Sequence, residues 1–206
     1  MLPRKVAKIG RLQISGSPPC PFCRVATPTS IKEVDERHAK RMALDDANAY
    51  CQVAGDYSFG DHGKPLDYGR AFELYTRAAA LGSPEAHYEL GNMYRSGKGR
   101  DIDVKKAKYH YQLAAIGGDL PARSNLAAIE VQQGKAKRAM KHFKITARNG
   151  FGKGIDGLRL RYSQGLVTKE ELDEALLAYK VAVDEMKSEQ RDIAARHLAG
   201  GGISTI

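Results

Sequence analysis

Cys20 and Cys23 have the Cys-x2-Cys spacing of one half of a structural zinc site. Two thiolates so spaced can share a tetrahedral ion, but such a site needs four ligands, and the candidates to complete it are His38 and Cys51. Cys51 falls in an apolar helical pattern, where a free thiol behaves as a small buried hydrophobe. His38 lies among Arg37, Lys40 and Arg41, as on a surface helix. The reading is therefore two exposed thiols and no metal site. Redox chemistry at Cys20 and Cys23 would need a βαβ surround, and no such pattern flanks them.

The remaining reactive residue types read as structural. His110 and His142 occupy one repeat position, which Leu74 and Ala178 fill elsewhere, so they are expected to pack at helix interfaces. His87 beside Tyr88 opens a helix and carries no further expectation. The carboxylate pairs Asp45-Asp46 and Glu170-Glu171 sit at helix starts, where they complement the helix dipole. Gly150-x-Gly152-x-Gly154 follows no strand and precedes no Gly-Lys-Ser/Thr, so it reads as a turn between units rather than a phosphate loop. No Ser, His and Asp form a local catalytic motif. The chain is read as a non-enzyme, with no catalytic residues and no cofactor.

Length and charge bound the alternatives. The chain has 206 residues, three Cys, no Trp and a net charge of +9. Six of those charges sit in residues 1–32, which contain no acid, so the body is nearly neutral. A whole-surface nucleic-acid binder would be more lopsided. No run of apolar residues is long enough to span a bilayer. Three cysteines fit a reducing compartment better than a disulfide scaffold, and the basic start lacks the apolar stretch of a secretory signal. An intracellular place, cytoplasmic or nuclear, is expected. Organelle targeting by the basic arm is a weaker reading, because Pro3, Pro18, Pro19 and Pro21 break an amphipathic helix.

The elements that position all these residues repeat. Ala71, Ala107, Ala139 and Ala175 are spaced 36, 32 and 36 residues apart. A ring follows each at four: Tyr75, Tyr111, Phe143 and Tyr179. Small residues follow at seven and eight, as in Ala78-Ala79 and Ala114-Ala115, and Gly82, Gly118 and Gly150 follow at eleven. A second register runs through Leu90, Leu126 and Leu158, with Tyr94, Glu130 and Tyr162 four further on. Offsets of 0, 4, 7 and 8 mark one face of a helix. Each unit is thus two amphipathic helices, and Ser83-Pro84, Asp119-Leu120-Pro121 and the Thr168 to Glu171 capping box supply starts. Such a hairpin cannot bury its apolar face alone, so the units stack into a solenoid.

The spacing predicts a leading helix over about 31–43. Paired helices then lie near 46–59 and 67–81, 84–96 and 103–116, 121–133 and 135–148, and 152–164 and 168–187. Residues 1–30 are read as a disordered basic arm, 31–187 as the repeat domain with units at about 47–84, 85–120, 121–152 and 153–187, and 188–206 as a disordered tail.

The string Ala86-x3-Leu90-Gly91-x2-Tyr94-x2-Gly97, then Asp103-x3-Ala107-x3-Tyr111-x2-Ala114-Ala115-x2-Gly118, resembles a Sel-1-like repeat, a relative of the tetratricopeptide repeats. The resemblance covers residues 47–187. It departs in the third and fourth units, where Ala127 and Arg159 replace Gly91 and Glu130 replaces Tyr94. It implies an all-α, right-handed α-solenoid of stacked helical hairpins that acts as a protein–protein adaptor, with no catalytic residues. Cys20-Pro21-Phe22-Cys23-Arg24 resembles the last ligand pair of a RING finger, although the six ligands that should precede it are absent. That second resemblance implies a truncated RING-type ubiquitin ligase as the alternative function.

In stacked hairpins the first helix of each pair usually lines the concave face. Leu90, Gly91 and Tyr94 are expected in the core, which turns Tyr88, Asn92 and Arg95 toward the groove. The equivalent positions are Gln52 and Asp56, Ser124 and Val131, and Asp156 and Ser163. These nine are the candidate partner-binding residues, for a protein or peptide rather than a small-molecule substrate, a nucleic acid or a membrane. An RNA-binding helical repeat is a third reading, suggested only by the net charge.

Overall fold

The computed structural model describes residues 30–186; the tail assigned above and all of the arm but Ser30, with Cys20 and Cys23, lie outside them. Nine helices form among the described residues: α1 (Ile31–Met42), α2 (Ala47–Phe59), α3 (Tyr68–Ala80), α4 (Pro84–Ser96), α5 (Val104–Ile116), α6 (Leu120–Gln132), α7 (Ala136–Arg148), α8 (Gly152–Ser163) and α9 (Lys169–Met186). Each packs against its neighbour in sequence, and α7 also meets α9. The result is an α-solenoid of four hairpins, α2–α3, α4–α5, α6–α7 and α8–α9, led by α1. No helix among the described residues is long and apolar enough to cross a membrane.

One turn closes three of the units. After α3, α5 and α7 the chain passes through Gly82, Gly118 and Gly150 at φ of 87°, 92° and 69°, a left-handed conformation that costs glycine nothing. The same two hydrogen bonds recur each time. Ser83, Asp119 and Phe151 donate to the carbonyls of Ala78, Ala114 and Thr146, while the glycine N–H reaches Ala79, Ala115 or Ala147. This is the Schellman arrangement, and it satisfies carbonyls that the helix end leaves open. Starts are equally local: Asp46, Asp67, Ser83, Asp103 and Asp119 each accept a backbone N–H from the first turn they precede. The Thr168–Glu171 capping box forms in both directions.

The interior follows the two registers for most of its length. Tyr75, Tyr111 and Phe143 are buried, as are Leu90, Leu126 and Leu158, while Tyr179 is half-buried. The alanines let the backbones approach, and Ala71, Ala78, Ala107, Ala114 and Ala139 are all fully buried. Gly91 faces the Tyr111 ring so closely that an added Cβ would sit 2.6 Å from it.

The structure departs from the sequence reading in the fourth unit, at Tyr162, Gly152 and Gly154. Tyr162 is 44% exposed rather than a core ring, because α8 presents Leu158 and Ile155 inward instead. Gly152 and Gly154 are not part of the turn, which Gly150 makes alone; both lie in α8. Gly154 has a packing reason: a Cβ there would meet Thr146 Oγ1 and lie 2.6 Å from Ala147 N and 2.7 Å from Phe143 O. His87, given no role above, places its Nδ1 3.1 Å from His110 Nδ1. His38 lies on α1, a helix with no buried residue, as expected; its side chain is half-buried there, and its Nδ1 is buried with no partner among the described residues. Cys51 is buried as expected, with its Sγ 3.3 Å from Ser83 Oγ.

Candidate functional site

The face built by the first helices of the hairpins centres on α4. Its hub is Asn92. Tyr111 Oη donates to Asn92 Oδ1 at 2.8 Å, Asn125 Nδ2 reaches the same oxygen at 3.4 Å, and Asn92 Nδ2 donates to Glu89 Oε2 at 3.2 Å. Burial pushes the Tyr111 phenol up to about 12, so it stays a donor across the accessible pH range. Burial also raises the Glu89 carboxyl, against the hydrogen bond from Asn92. This network ties α4, α5 and α6 together and orients the amide. Asn92 thus positions its surroundings.

Tyr88 stands half-buried beside it, its ring 6.2 Å from that of Tyr111, and Arg95 is exposed. No ion pair restrains Arg95 among the described residues. A cavity of about 270 Å³ opens next to Arg95, bounded by Phe59 at the end of α2, Tyr68 at the start of α3, and Lys98 after α4. The Lys98 ammonium lies 5.4 Å from the centre of the Tyr68 ring. Gln52 is exposed one hairpin away, where its Oε1 accepts from Arg41 at 3.3 Å.

The other candidates divide. Asp56 is only 8% exposed, and its Oδ1 is 2.8 Å from His62 Nδ1 in the loop that follows α2. It holds that loop; the hydrogen bond and charge of Asp56 in turn raise the His62 imidazole. Ser124 is 6% exposed with a buried hydroxyl, and Val131 packs on the core that contains Phe143 and Leu158. None of the three faces an open groove: the His62 loop covers Asp56 on α2, and Ser124 and Val131 lie on α6, which is buried on more of its circumference than α2 or α4. Asp156 and Ser163 are exposed on α8, and the Ser163 hydroxyl donates to Leu160 O. The structure therefore brings Tyr88, Asn92 and Arg95 together and leaves the rest dispersed. Asn125, Phe59, Tyr68 and Lys98 were missed. Asn125 directly precedes the register residue Leu126, so its position was legible, but its reach to Asn92 depends on how α6 packs on α4.

Two imidazoles meet in His87 and His110, and no group of three or more His, Cys, Asp or Glu side chains suited to a metal forms among the described residues. Burial lowers both, and His110 falls to about 4. Both are neutral at physiological pH, and packing is the role their surroundings show: His110 stacks on Tyr94 at 5.6 Å, and Tyr94 meets the Phe72 ring edge-on at 5.6 Å.

Comparison with known proteins agrees with this architecture. Residues 47–83 and 84–119 each match the model of the Sel1 repeat. The crystal structure of a Sel1 repeat protein from Oxalobacter formigenes superposes with a TM-score of 0.63 at 24% identity, over 77% of this chain and 67% of that one. An uncharacterised protein of Neisseria meningitidis serogroup B is 30% identical over 57% of this chain and 29% of its own length. An exopolysaccharide production negative regulator of Rhizobium meliloti is 31% identical over 45% of this chain and 36% of its own. The chain thus spans about a third of the length of these two relatives. The Cys20–Arg24 string and its RING resemblance lie outside both the described residues and the matched repeats. Sel1 repeats generally form non-enzymatic protein-interaction scaffolds, and this chain carries two matched Sel1 repeats, at 47–83 and 84–119, within a longer solenoid of the same fold.

Proposed function

We propose that the protein is a non-enzymatic adaptor that holds a protein or peptide segment against the face formed by α2, α4 and α8. The observation that carries this reading is the cluster at α4. Tyr88 and Arg95 are the side-chain types that anchor interfaces, and they share α4 with Asn92, whose hydrogen bonds tie that helix to α5 and α6; Arg95 also borders the Phe59–Tyr68 cavity. A rigid platform loses little entropy on binding, so contact energy is retained as affinity. Gln52, Asp156 and Ser163 extend the surface toward its two ends. The named relative that regulates exopolysaccharide production fits an adaptor working within a regulatory assembly. An intracellular place belongs to the same proposal, and the buried free thiol of Cys51 is compatible with it.

The test is quantitative affinity capture with the full chain and with a Tyr88→Ala, Arg95→Glu double variant, both checked for helicity. Loss of a specific bound protein in the variant supports the reading. Undiminished capture of every partner by the folded variant overturns it.

A further inference from the structure

The position that Tyr94 fills in the second unit is Glu130 in the third, and the two surroundings differ in step. Around Tyr94 stand Phe72 of the preceding hairpin and His110 of its own, a stack of rings. The repeat-equivalent residues around Glu130 are Lys108 and His142. A polar trio replaces an aromatic one between α5, α6 and α7.

That trio is incompletely satisfied. Glu130 is 3% exposed; Lys108 binds its Oε1 at 2.7 Å, and its Oε2 is buried with no partner among the described residues. His142 Nδ1 and Arg123 Nε are also buried without partners. A buried carboxylate oxygen without a donor is costly, and such departures from local rules concentrate where a protein binds something. All three side chains line one cleft of about 590 Å³ between α5 and α7, floored by α6. This is the size of an ordinary ligand pocket. Its walls are apolar and open to solvent: Ile116 is 81% exposed, and Tyr109 and Ile145 stand beside it unprotected. Its rim is cationic. Among the described residues Arg138 and Lys141 have no ion pair, and the Arg123 guanidinium gives one N–H, from Nη2, to the Ala115 carbonyl at the end of α5.

We propose that this cleft is a second docking site, which takes an acidic peptide segment by inserting a bulky apolar side chain between Ile116 and Ile145. The carboxylates of the segment meet Arg138, Lys141 and Arg123, and a peptide N–H supplies the donor that Glu130 Oε2 lacks. Charge selects the occupant, because the rim offers three cations while the single acid is committed to Lys108. The site lies on the side of α6 turned away from Asn92, so it is independent of the α4 surface.

The probe is a displayed library of random short peptides panned on the full chain, with selected peptides resynthesised and measured by fluorescence anisotropy. Acidic sequences around an aromatic or long aliphatic residue are expected. Their affinity should fall roughly tenfold or more with Ile116→Lys or Arg138→Glu, and decline as salt rises. Tyr88→Ala should leave it unchanged. Glu130→Gln, if folded, should weaken binding; if it does not fold, the exposed Ile116 and Arg138 variants still decide. No enrichment, selection of neutral or basic peptides, or binding sensitive to Tyr88→Ala but not to Ile116→Lys overturns the proposal.

Discussion

Residues 47–119 and residues 120–186 build the same hairpins by different means. In the first stretch every helix has a side-chain cap, and rings occupy the junctions: Phe72, Tyr94 and His110 between α3, α4 and α5. In the second, α7 and α8 start at Lys135 and Phe151 with no side-chain cap. The α5–α6–α7 junction is held by Lys108 and Glu130, and α7 is tied to α9 by Lys144–Glu171 and Arg148–Glu174 at 2.9 and 3.1 Å. The last two pairs are partly exposed and contribute little. The contrast teaches that the shape of a repeat depends on its small residues and turns, whereas the filling of its junction can change. The Sel1 repeat model matches the first stretch, where both agree.

The largest effect should come from removing a junction ring in the regular half. Tyr111→Ala deletes a fully buried ring and the anchor of Asn92, and should cost about 3–5 kcal/mol in denaturant unfolding. A loss below about 1 kcal/mol would break the claim that rings carry this half.

The polar junction answers to a different pair of changes. Glu130→Ala strands Lys108 in a largely buried place and should cost about 3–5 kcal/mol. Converting the trio to the pattern of the other half, Lys108→Phe with Glu130→Tyr, should be neutral or stabilising by about 1–4 kcal/mol. A strong loss in the double variant would show that the ion pair is required for the fold itself.

Gly154→Ala tests close approach in the second half. The new methyl would press on the backbone of α7 and should cost about 1–3 kcal/mol by calorimetry.

Buried imidazoles in both halves make stability depend on pH, since burial lowers His110 in the first and His142 in the second. Burial holds folded His110 near 4, below its ordinary value of 6.5, so the unfolded chain binds more protons between the two. The His110 contribution to stability should therefore fall as pH drops from 6.5 toward about 4 and then level off. His110→Gln should flatten that slope in urea titrations followed by circular dichroism. Finally, Arg95→Ala should change stability by less than about 0.5 kcal/mol while weakening partner capture, because its side chain contacts solvent.

Much of this organisation was legible beforehand because helix period, capping residues and turn glycines are local. The Leu90, Leu126 and Leu158 register located the core of all three later units. Tyr162 escaped it: α8 packs with Ile155 and Leu158 inward, and the uncapped start at Phe151 leaves its rotation to tertiary contacts. Asp56 and Ser124 were expected in the groove because periodicity assigns a face but not how much of that face a neighbouring helix or loop covers. The exchange of Tyr94 for Glu130 was visible as a departure, but not its meaning.

What the amino-acid order determined by itself is the unit: two helices, a left-handed glycine between units, an alanine face and a ring. Each follows from interactions within a dozen residues, which need no partner to be specified. What only the tertiary structure decided is where neighbouring units fail to cover one another. The Asn92 hub, the His87–His110 pair and the cleft under Glu130 each join side chains 19 or more residues apart on separate helices. Their distances depend on how hairpin stacks on hairpin, and long-range packing sets that geometry where local periodicity cannot.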